Sequence, residues 1–252
     1  MAGFESMSIS IHPSVSRLAA PVKGASDRSL RPVCFFDGVG DAILAEIGTR
    51  CRWAEVAEGE EIVTAGEFLD KVFFLRRGEL RYLLYTRIGK IVALRGAQEG
   101  SFVGDTSLVG TTPVPYSVEA ARTSLVASLP TRLFLECVDR DRDLARALVR
   151  HLVGREAQLA DQIVELSTLN VQARIHNELI RLSRDGARPD GTAVIMPVPT
   201  HADLARRVCT QREAVSRELS HLQALGVVVR FEGGLLIPDV GRLKDLQIDL
   251  DL

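Results

Sequence analysis

Cysteine is scarce in this chain of 252 residues, which contains only four. They are Cys34, Cys51, Cys137 and Cys209, and no two of them have the C-x-x-C spacing typical of zinc or iron–sulfur sites. The sequence therefore suggests neither a structural zinc ion nor an iron–sulfur cluster, and we expect no metal site. A low cysteine count also fits a reducing compartment.

Long apolar runs are absent as well. No stretch approaches the roughly 20 apolar residues that a membrane-spanning helix needs, and the first residues lack the basic start and apolar stretch of a signal peptide. We therefore expect a cytoplasmic protein with no membrane contact. Charge of one sign is not in excess either, because 31 Lys and Arg residues are balanced by 33 Asp and Glu residues. The whole-chain composition thus gives no sign of nucleic-acid affinity.

The chain changes character along its length. Residues 1–32 are rich in Ser, Ala and Pro and predict a flexible arm, the alternative being an ordered extension packed on the next domain. From Cys51 to Pro130, short apolar runs alternate with turn signals, at which four glycines are expected to lie: Gly66, Gly78, Gly89 and Gly100. Short strands at this spacing predict a small β-sandwich or barrel, assigned to residues 33–138.

A long amphipathic helix is predicted from Asp139 to Leu166, where the sequence has no proline and one glycine. Its apolar residues recur at heptad spacing, which favours a seam with a parallel partner helix. We expect residues 139–169 to dimerise through this seam, which consists of Leu148, Leu152, Leu159, Ile163 and Leu166. The alternative is a helix that packs only on its own barrel, since Arg155 and Gln162 interrupt the stripe.

The stretch from Thr200 to Gly226 predicts two short helices joined by a tight turn. Thr200 can cap the first helix, and Thr210 can cap the second with Glu213 placed for a capping box. The buried stripe of the second helix would comprise Val215, Leu219 and Leu222. The polar face that this stripe leaves exposed carries Gln211, Arg212, Glu213, Ser216 and Arg217.

That polar face has the chemistry of a DNA-reading helix. Arginine can donate two hydrogen bonds to guanine, and glutamate can accept one from cytosine, so Glu213 and Arg217 are the main candidates for base contact. The plainer alternatives are a cap for Glu213 and phosphate contacts for the arginines. The alternating stretch that follows predicts a β-hairpin wing, in which Arg230 would suit a phosphate. The sequence shows no nucleophile elbow, Walker loop, HExxH or paired-carboxylate motif, so we expect no enzyme.

The order of these parts resembles the CRP/FNR family of bacterial transcription regulators. The resemblance spans about Phe35 to Asp239 and is carried by the glycine-punctuated segments 66–78, 89–90 and 100–105 and by the ArgGluAlaValSerArg segment at 212–217. It implies an α+β fold: a cyclic-nucleotide-binding-like jelly roll (33–138), a dimerisation helix (139–169) and a winged helix-turn-helix (170–252). It also implies a homodimer on palindromic double-stranded DNA, with RNA polymerase as a further candidate partner.

The resemblance places an effector pocket at Gly104, Asp105, Tyr116, Ser117, Leu159 and Ala160. Three departures argue against cAMP. Asp105 stands where cAMP-binding members have Glu, Val114 stands where they have an Arg that pairs with the phosphate, and the polar pair on the long helix is replaced by Leu159 and Ala160. Because no cation is identified to offset Asp105, a buried phosphate would be costly there.

Two other effectors and one other function stay open at this point. Haem would need a histidine ligand such as His151 or His176. A cyclic dinucleotide would need cations such as Arg81, Arg95 or Arg122, but the interpretation favoured for each of these arginines is a solvent-facing strand position. No cofactor is certain. The alternative function is an effector-binding module that acts through protein contacts and carries a vestigial helix-turn-helix.

Overall fold

The computed structural model describes residues 28–85, 91–110 and 112–248. Most of the predicted arm and the predicted turn at Gly89 lie outside these residues. The end of the segment predicted as an arm is described, and there Leu30 is buried in the core of the N-terminal domain.

The N-terminal domain begins with helix α1 (Asp41–Arg50) and continues as an antiparallel β-roll. Its strands are β1 (Arg52–Val56), β2 (Glu61–Val63), β3 (Lys71–Tyr85), β4 (Ile91–Gln98), β5 (Phe102–Val103) and β6 (Ser117–Pro130). Within the described residues they form one sheet in the order β1-β6-β3-β4, with β2 paired to β6 and β5 paired to β3. The predicted strand-rich domain is therefore present, built around two long strands.

Gly78 does not lie in a turn between two strands, as the sequence analysis expected. Strand β3 runs through it, and the pairing of β3 with β6 shifts register on both sides of it. The residue has φ of +109°, and a Cβ atom there would lie 2.1 Å from Ser124 Oγ. Glycine thus serves a β-bulge inside a continuous strand, because only glycine tolerates both the positive φ and the close approach.

Two helices follow the roll where one was predicted. They are α2 (Thr131–Arg140) and α3 (Arg142–Thr168). The break is at Asp141, whose backbone is extended and whose side chain accepts a hydrogen bond from the Leu144 amide at 2.8 Å. Asp141 is therefore the N-cap of α3, and the long helix begins after it rather than at Asp139. Its 27 residues give α3 a length of about 40 Å.

The C-terminal domain is a winged helix-turn-helix. It comprises α4 (Val171–Leu182), β7 (Ala193–Ile195), α5 (His201–Arg207), α6 (Arg212–Ala224), β8 (Val229–Phe231), β9 (Gly234–Ile237) and α7 (Val240–Ile248). The three strands form a sheet in the order β7-β9-β8. A separate apolar core, which includes Ile175, Leu204, Val215 and Leu222, packs the helices against this sheet.

Candidate DNA-binding surface and effector site

The exposed face of α6 carries the residues predicted from the sequence to read DNA. Val215, Leu219 and Leu222 are buried, which turns the opposite side of the helix to solvent. Four predicted contact residues at the start of this helix are exposed, Ser216 is half-buried, and Arg230 is exposed in the wing. The exposed four are Gln211, Arg212, Glu213 and Arg217. The structure thus leaves five of the six predicted residues exposed to solvent.

The cap of α6 differs from the prediction. Helix α6 begins at Arg212 with Gln211 as its N-cap, and no side chain makes a capping hydrogen bond there. Thr210 lies one residue too early because the turn is tight: Cys209 has φ of +53°, a left-handed conformation that is uncommon for residues other than glycine. Glu213 therefore has no reciprocal cap to make. By contrast, Thr200 caps α5 as predicted, accepting a hydrogen bond from the Asp203 amide at 3.1 Å.

A buried polar cluster behind α6 was missed by sequence reasoning. Glu218 is almost fully buried, accepts a hydrogen bond from Gln172 Nε2 at 2.9 Å and lies 2.7 Å from His176 Nε2. His176 was a candidate haem ligand, but it lies buried between α4 and α6, far in sequence from the roll, and its Nε2 is engaged by Glu218. The only sequence signal was a glutamate on the apolar side of the helix.

His201 adds another unpredicted contact on the DNA-reading side of the domain. Its Nδ1 lies 2.7 Å from Ser216 Oγ, so the first residue of α5 is linked to α6. Burial, followed by the charges of Arg230 and Arg212, lowers the pKa of His201. The imidazole therefore shares a surface with two of the predicted contact residues.

The helix-turn-helix is also joined to the roll by ion pairs. Arg81 of β3 contacts Glu119 and lies 3.2 Å from Asp203 of α5, and Arg207 Nη2 of α5 lies 2.6 Å from Glu79 of β3. Arg81 was a candidate cation for a cyclic dinucleotide, but these two carboxylates already occupy it. Arg122 donates a hydrogen bond to the Gly78 carbonyl at 3.3 Å, and the side chain of Arg95 lies outside the described part of the chain.

In the roll, four of the predicted effector-pocket residues lie on the segments on either side of residue 111. Gly104 has φ of +100°, and a Cβ there would lie 2.9 Å from the Lys71 carbonyl oxygen. Asp105 Oδ1 accepts hydrogen bonds from the Thr106 amide at 3.0 Å and from the Tyr116 hydroxyl at 3.3 Å, while Ser117 Oγ accepts one from the Ala65 amide. The other two predicted residues, Leu159 and Ala160, are exposed on α3.

Asp105 has a cation beside it, contrary to the expectation from the sequence. Arg155 of α3 places its Nε 3.6 Å from Asp105 Oδ2, and its guanidinium lies 4.7 Å from the ring centre of Tyr82. Burial raises the pKa of Tyr82, so this phenol stays protonated under the cation. In the sequence, Arg155 is visible only as an interruption of the helix seam. Whether its side chain faces the roll depends on how α3 packs.

A cavity of about 450 Å³ opens beside this cluster, where α3 crosses the roll. None of the predicted effector-pocket residues lines it. His151, named in the sequence analysis as a candidate haem ligand, forms part of its wall: the ring lies edge-on to Phe35 and Phe102, and burial lowers its pKa. The other walls come from four parts of the chain and include Cys34, Tyr82, Gln98, Glu99, Arg150, Arg155 and Gln158.

The outer face of α3 exposes a stripe of large apolar side chains: Val149, Leu152, Val153, Leu159, Ile163, Val164 and Leu166. Four of the five predicted seam residues belong to it. The fifth, Leu148, is instead partly buried against the core of the roll. The two sides of the helix are therefore distinct, one packed on the roll and one exposed in the single chain.

Two features are absent from the described part of the chain. No helix there combines the length and apolar character needed to cross a bilayer. No group of three His, Cys, Asp or Glu side chains there is arranged to hold a metal ion.

Comparison with known proteins agrees with this architecture. Residues 53–141 match the cyclic nucleotide-binding domain family, and residues 173–246 match the Crp-like helix-turn-helix domain family. The transcriptional regulator SdrP of Thermus thermophilus is 25% identical over 177 residues, covering 70% of this chain and 84% of SdrP. The cAMP-activated global transcriptional regulator CRP of Pasteurella multocida is 22% identical over 187 residues, covering 73% of this chain and 88% of that protein.

Among solved structures, FixK2 from Bradyrhizobium japonicum superposes with a TM-score of 0.67 at 20% sequence identity, covering 78% of this chain and 96% of FixK2. The two matched domains together span more than half of the chain, in the order that the structure shows. The chain therefore belongs to the CRP/FNR family of transcriptional regulators and carries a helix-turn-helix DNA-binding domain.

Proposed function

We propose that this regulator binds a palindromic DNA site as a homodimer and reads each half-site with Glu213 and Arg217. The observation that carries the proposal is the exposed face of α6. Its first turns present arginine and glutamate side chains to solvent, and the apolar stripe behind them is buried. These side chains can donate to guanine and accept from cytosine in the major groove.

The dimer is proposed to form through the exposed stripe on α3. Large apolar side chains at heptad spacing on one face of a helix are costly in water and pack well against an identical helix related by a two-fold axis. A homodimer would also present two copies of α6, which matches the two halves of a palindrome.

The effector is proposed not to be cAMP. One relative is described as cAMP-activated, but this chain differs at the positions that matter. Val114 is buried and apolar, and Leu159 and Ala160 offer no hydroxyl. Within the described residues, Arg155 is the cation beside Asp105, and it is already shared between that carboxylate and the Tyr82 ring. A cyclic phosphate would thus meet an acidic group whose counter-ion is engaged.

We propose instead that a small effector would occupy the cavity where α3 crosses the roll. Its volume of about 450 Å³ is in the range of small-molecule sites. Its walls combine aromatic rings with Arg150, His151 and Arg155, all on α3. Occupancy of this cavity would act directly on the helix that is proposed to hold the dimer together.

Selection of binding sites from random double-stranded DNA tests the proposed function. The expected result is a palindromic consensus whose half-sites are about one helical turn, ~34 Å, apart. A protein that enriches no sequence and shows no salt-dependent DNA binding would instead fit a regulatory module with a vestigial helix-turn-helix.

A further inference from the structure

His201 lies where three elements of the winged helix-turn-helix meet. It is the first residue of α5, its Nδ1 is 2.7 Å from Ser216 Oγ of α6, and its ring is half-buried. Arg212 of α6 and Arg230 of the wing are close enough to repel its positive form. Three basic side chains from three elements therefore share one surface beside the exposed face of α6.

Both charges that act on the pKa of His201 are positive. The carboxylate of α5, Asp203, is paired with Arg206 and Arg81, and Glu213 is exposed on the first turn of α6. The groups that act on its pKa are Arg230 and Arg212, and both arginines are exposed. Burial and this repulsion lower the pKa of His201, so the ring is neutral near pH 7 in the free protein. Within the described residues, its Nε2 has no hydrogen-bond partner. The site thus has one ring nitrogen without a partner and two arginines near it. A bound anion would be attracted by their positive charge.

A backbone phosphate is the anion that this surface would meet when the duplex binds. It would offset the repulsion from both arginines and would favour the imidazolium form, which can donate from Nε2 while Nδ1 donates to Ser216. We propose that His201 is a proton-linked phosphate contact, which takes up a proton on DNA binding and donates Nε2–H to the phosphate. The proposal rests on the DNA-binding function proposed above and gives Ser216 the role of holding the ring.

The linkage has a definite sign. Below the pKa of His201 in the free protein, the ring is already protonated and binding does not depend on pH. Between the free and bound pKa values, raising the pH removes the proton that the complex needs, so affinity falls. Each unit by which the pKa rises on binding is worth about tenfold in affinity for each histidine. A dimer has two.

The test is fluorescence anisotropy with the selected DNA site, at pH 6 and pH 8 and over a series of salt concentrations. We expect the wild-type protein to bind at least ~tenfold more tightly at pH 6. The slope of log K against log salt should also be steeper at pH 6 by about two, one unit for each histidine that contacts a phosphate. These two measurements need no variant.

Two variants and a control locate the effect. His201→Gln keeps a partner for Ser216 but cannot be protonated, so both its affinity and its salt slope should be the same at the two pH values. His201→Arg should keep at pH 8 the steep salt slope that the wild type has at pH 6. His221→Gln, which changes an exposed histidine near the other end of α6, should behave like the wild type.

Four outcomes separate the explanations. Wild-type binding that is the same at both pH values overturns the proposal, as does a pH effect that His201→Gln retains. A His201→Gln protein that is less stable but keeps the wild-type pH and salt dependence would show a purely structural histidine. Failure to bind any duplex at either pH would overturn the proposed function itself.

Discussion

Arg217 and Glu218 are neighbours on α6 with opposite environments. Arg217 is exposed, whereas Glu218 is buried against Gln172 and His176 of α4. A buried carboxylate that lost these partners would be costly, so the cluster opposes rotation of α6 about its own axis. If α6 were turned to another orientation about its axis, Glu218 would lose its partners. In the observed orientation, Arg217 points to solvent.

Replacing Arg217 by alanine should weaken binding to the selected site by about 1–3 kcal/mol, because a bidentate contact with a base is lost. Binding to scrambled DNA should change much less, so discrimination at one base pair relaxes. Titration of both DNAs measures the ratio. Gln223→Ala, at an exposed position near the end of the same helix, is the matched control. An unchanged ratio of affinities in Arg217→Ala would mean that this arginine reads no base.

At the scale of elements, α3 has one side packed on the roll and one exposed apolar side, which is the proposed dimer interface. Arg155 and His151 face the roll, and Leu152, Leu159 and Ile163 are exposed on the apolar stripe. A helix that contacts both the cavity and the proposed dimer interface would transmit a change in the cavity to that interface. This dual role also explains why the apolar stripe is interrupted by charged residues in the sequence.

The double change Leu152→Glu and Leu159→Glu should give a monomer. Like charges would face each other across the two-fold axis, where they repel and lose hydration. Light scattering measures the mass, and operator binding should weaken strongly because a monomer grips only one half-site. Asp161→Lys, which changes an exposed charge on the same helix outside the apolar stripe, should stay dimeric. A double mutant of dimeric mass would place the interface elsewhere.

The sequence predicts some elements better than others, for physical reasons. The core stripe of α6 and the cap at Thr200 could be predicted because both depend on local spacing and local hydrogen bonds. The division between α2 and α3 was harder, because acidic residues at 139, 141 and 143 are all plausible caps. Gly78 was predicted in a turn because glycine is a local turn signal, whereas Ser124, which it closely approaches, is 46 residues away in the sequence.

The effector site was the least predictable part. Alignment to the family pattern placed Leu159 and Ala160 in a pocket, but the face that α3 turns to the roll is set by tertiary packing. That packing turns Arg150, His151 and Arg155 towards the cavity that is proposed as the effector site. The salt bridge between Arg155 and Asp105 joins the long helix to the roll, and no pattern in the local sequence predicts it.

In the whole molecule, the roll and the helix-turn-helix are linked by contacts other than the backbone between α3 and α4. Arg81 joins β3 to Asp203 of α5, and Arg207 joins α5 to both Glu79 of the roll and Glu178 of α4. Ion pairs that are partly open to solvent contribute little individually. A link of this kind can hold the DNA-binding domain in place and still be exchanged at low cost for another arrangement.

Isothermal titration with cAMP should show no binding at micromolar concentration. Among the described residues, the cation beside Asp105 is already engaged, and Leu159 and Ala160 of α3 carry no hydroxyl. DNA binding should accordingly not need added cAMP. Cyclic GMP and cyclic di-GMP serve as comparison ligands in the same experiment. A cAMP dissociation constant in the low micromolar range would mean that Arg155 leaves Asp105 and rebuilds a phosphate site.

The central claim, that a two-fold dimer reads two half-sites on one face of the duplex, can be tested most directly by changing their spacing. The measurement compares affinity for the selected palindrome with affinity for the same site carrying five extra base pairs at its centre. Five base pairs turn the half-sites to opposite faces of B-form DNA, whose helical repeat is about 10 base pairs. The account predicts that affinity falls towards that of a single half-site. Ten extra base pairs return the half-sites to one face of the duplex but set them farther apart, so they should restore part of the lost affinity only if the DNA bends. Undiminished affinity for the site with five extra base pairs would contradict the account.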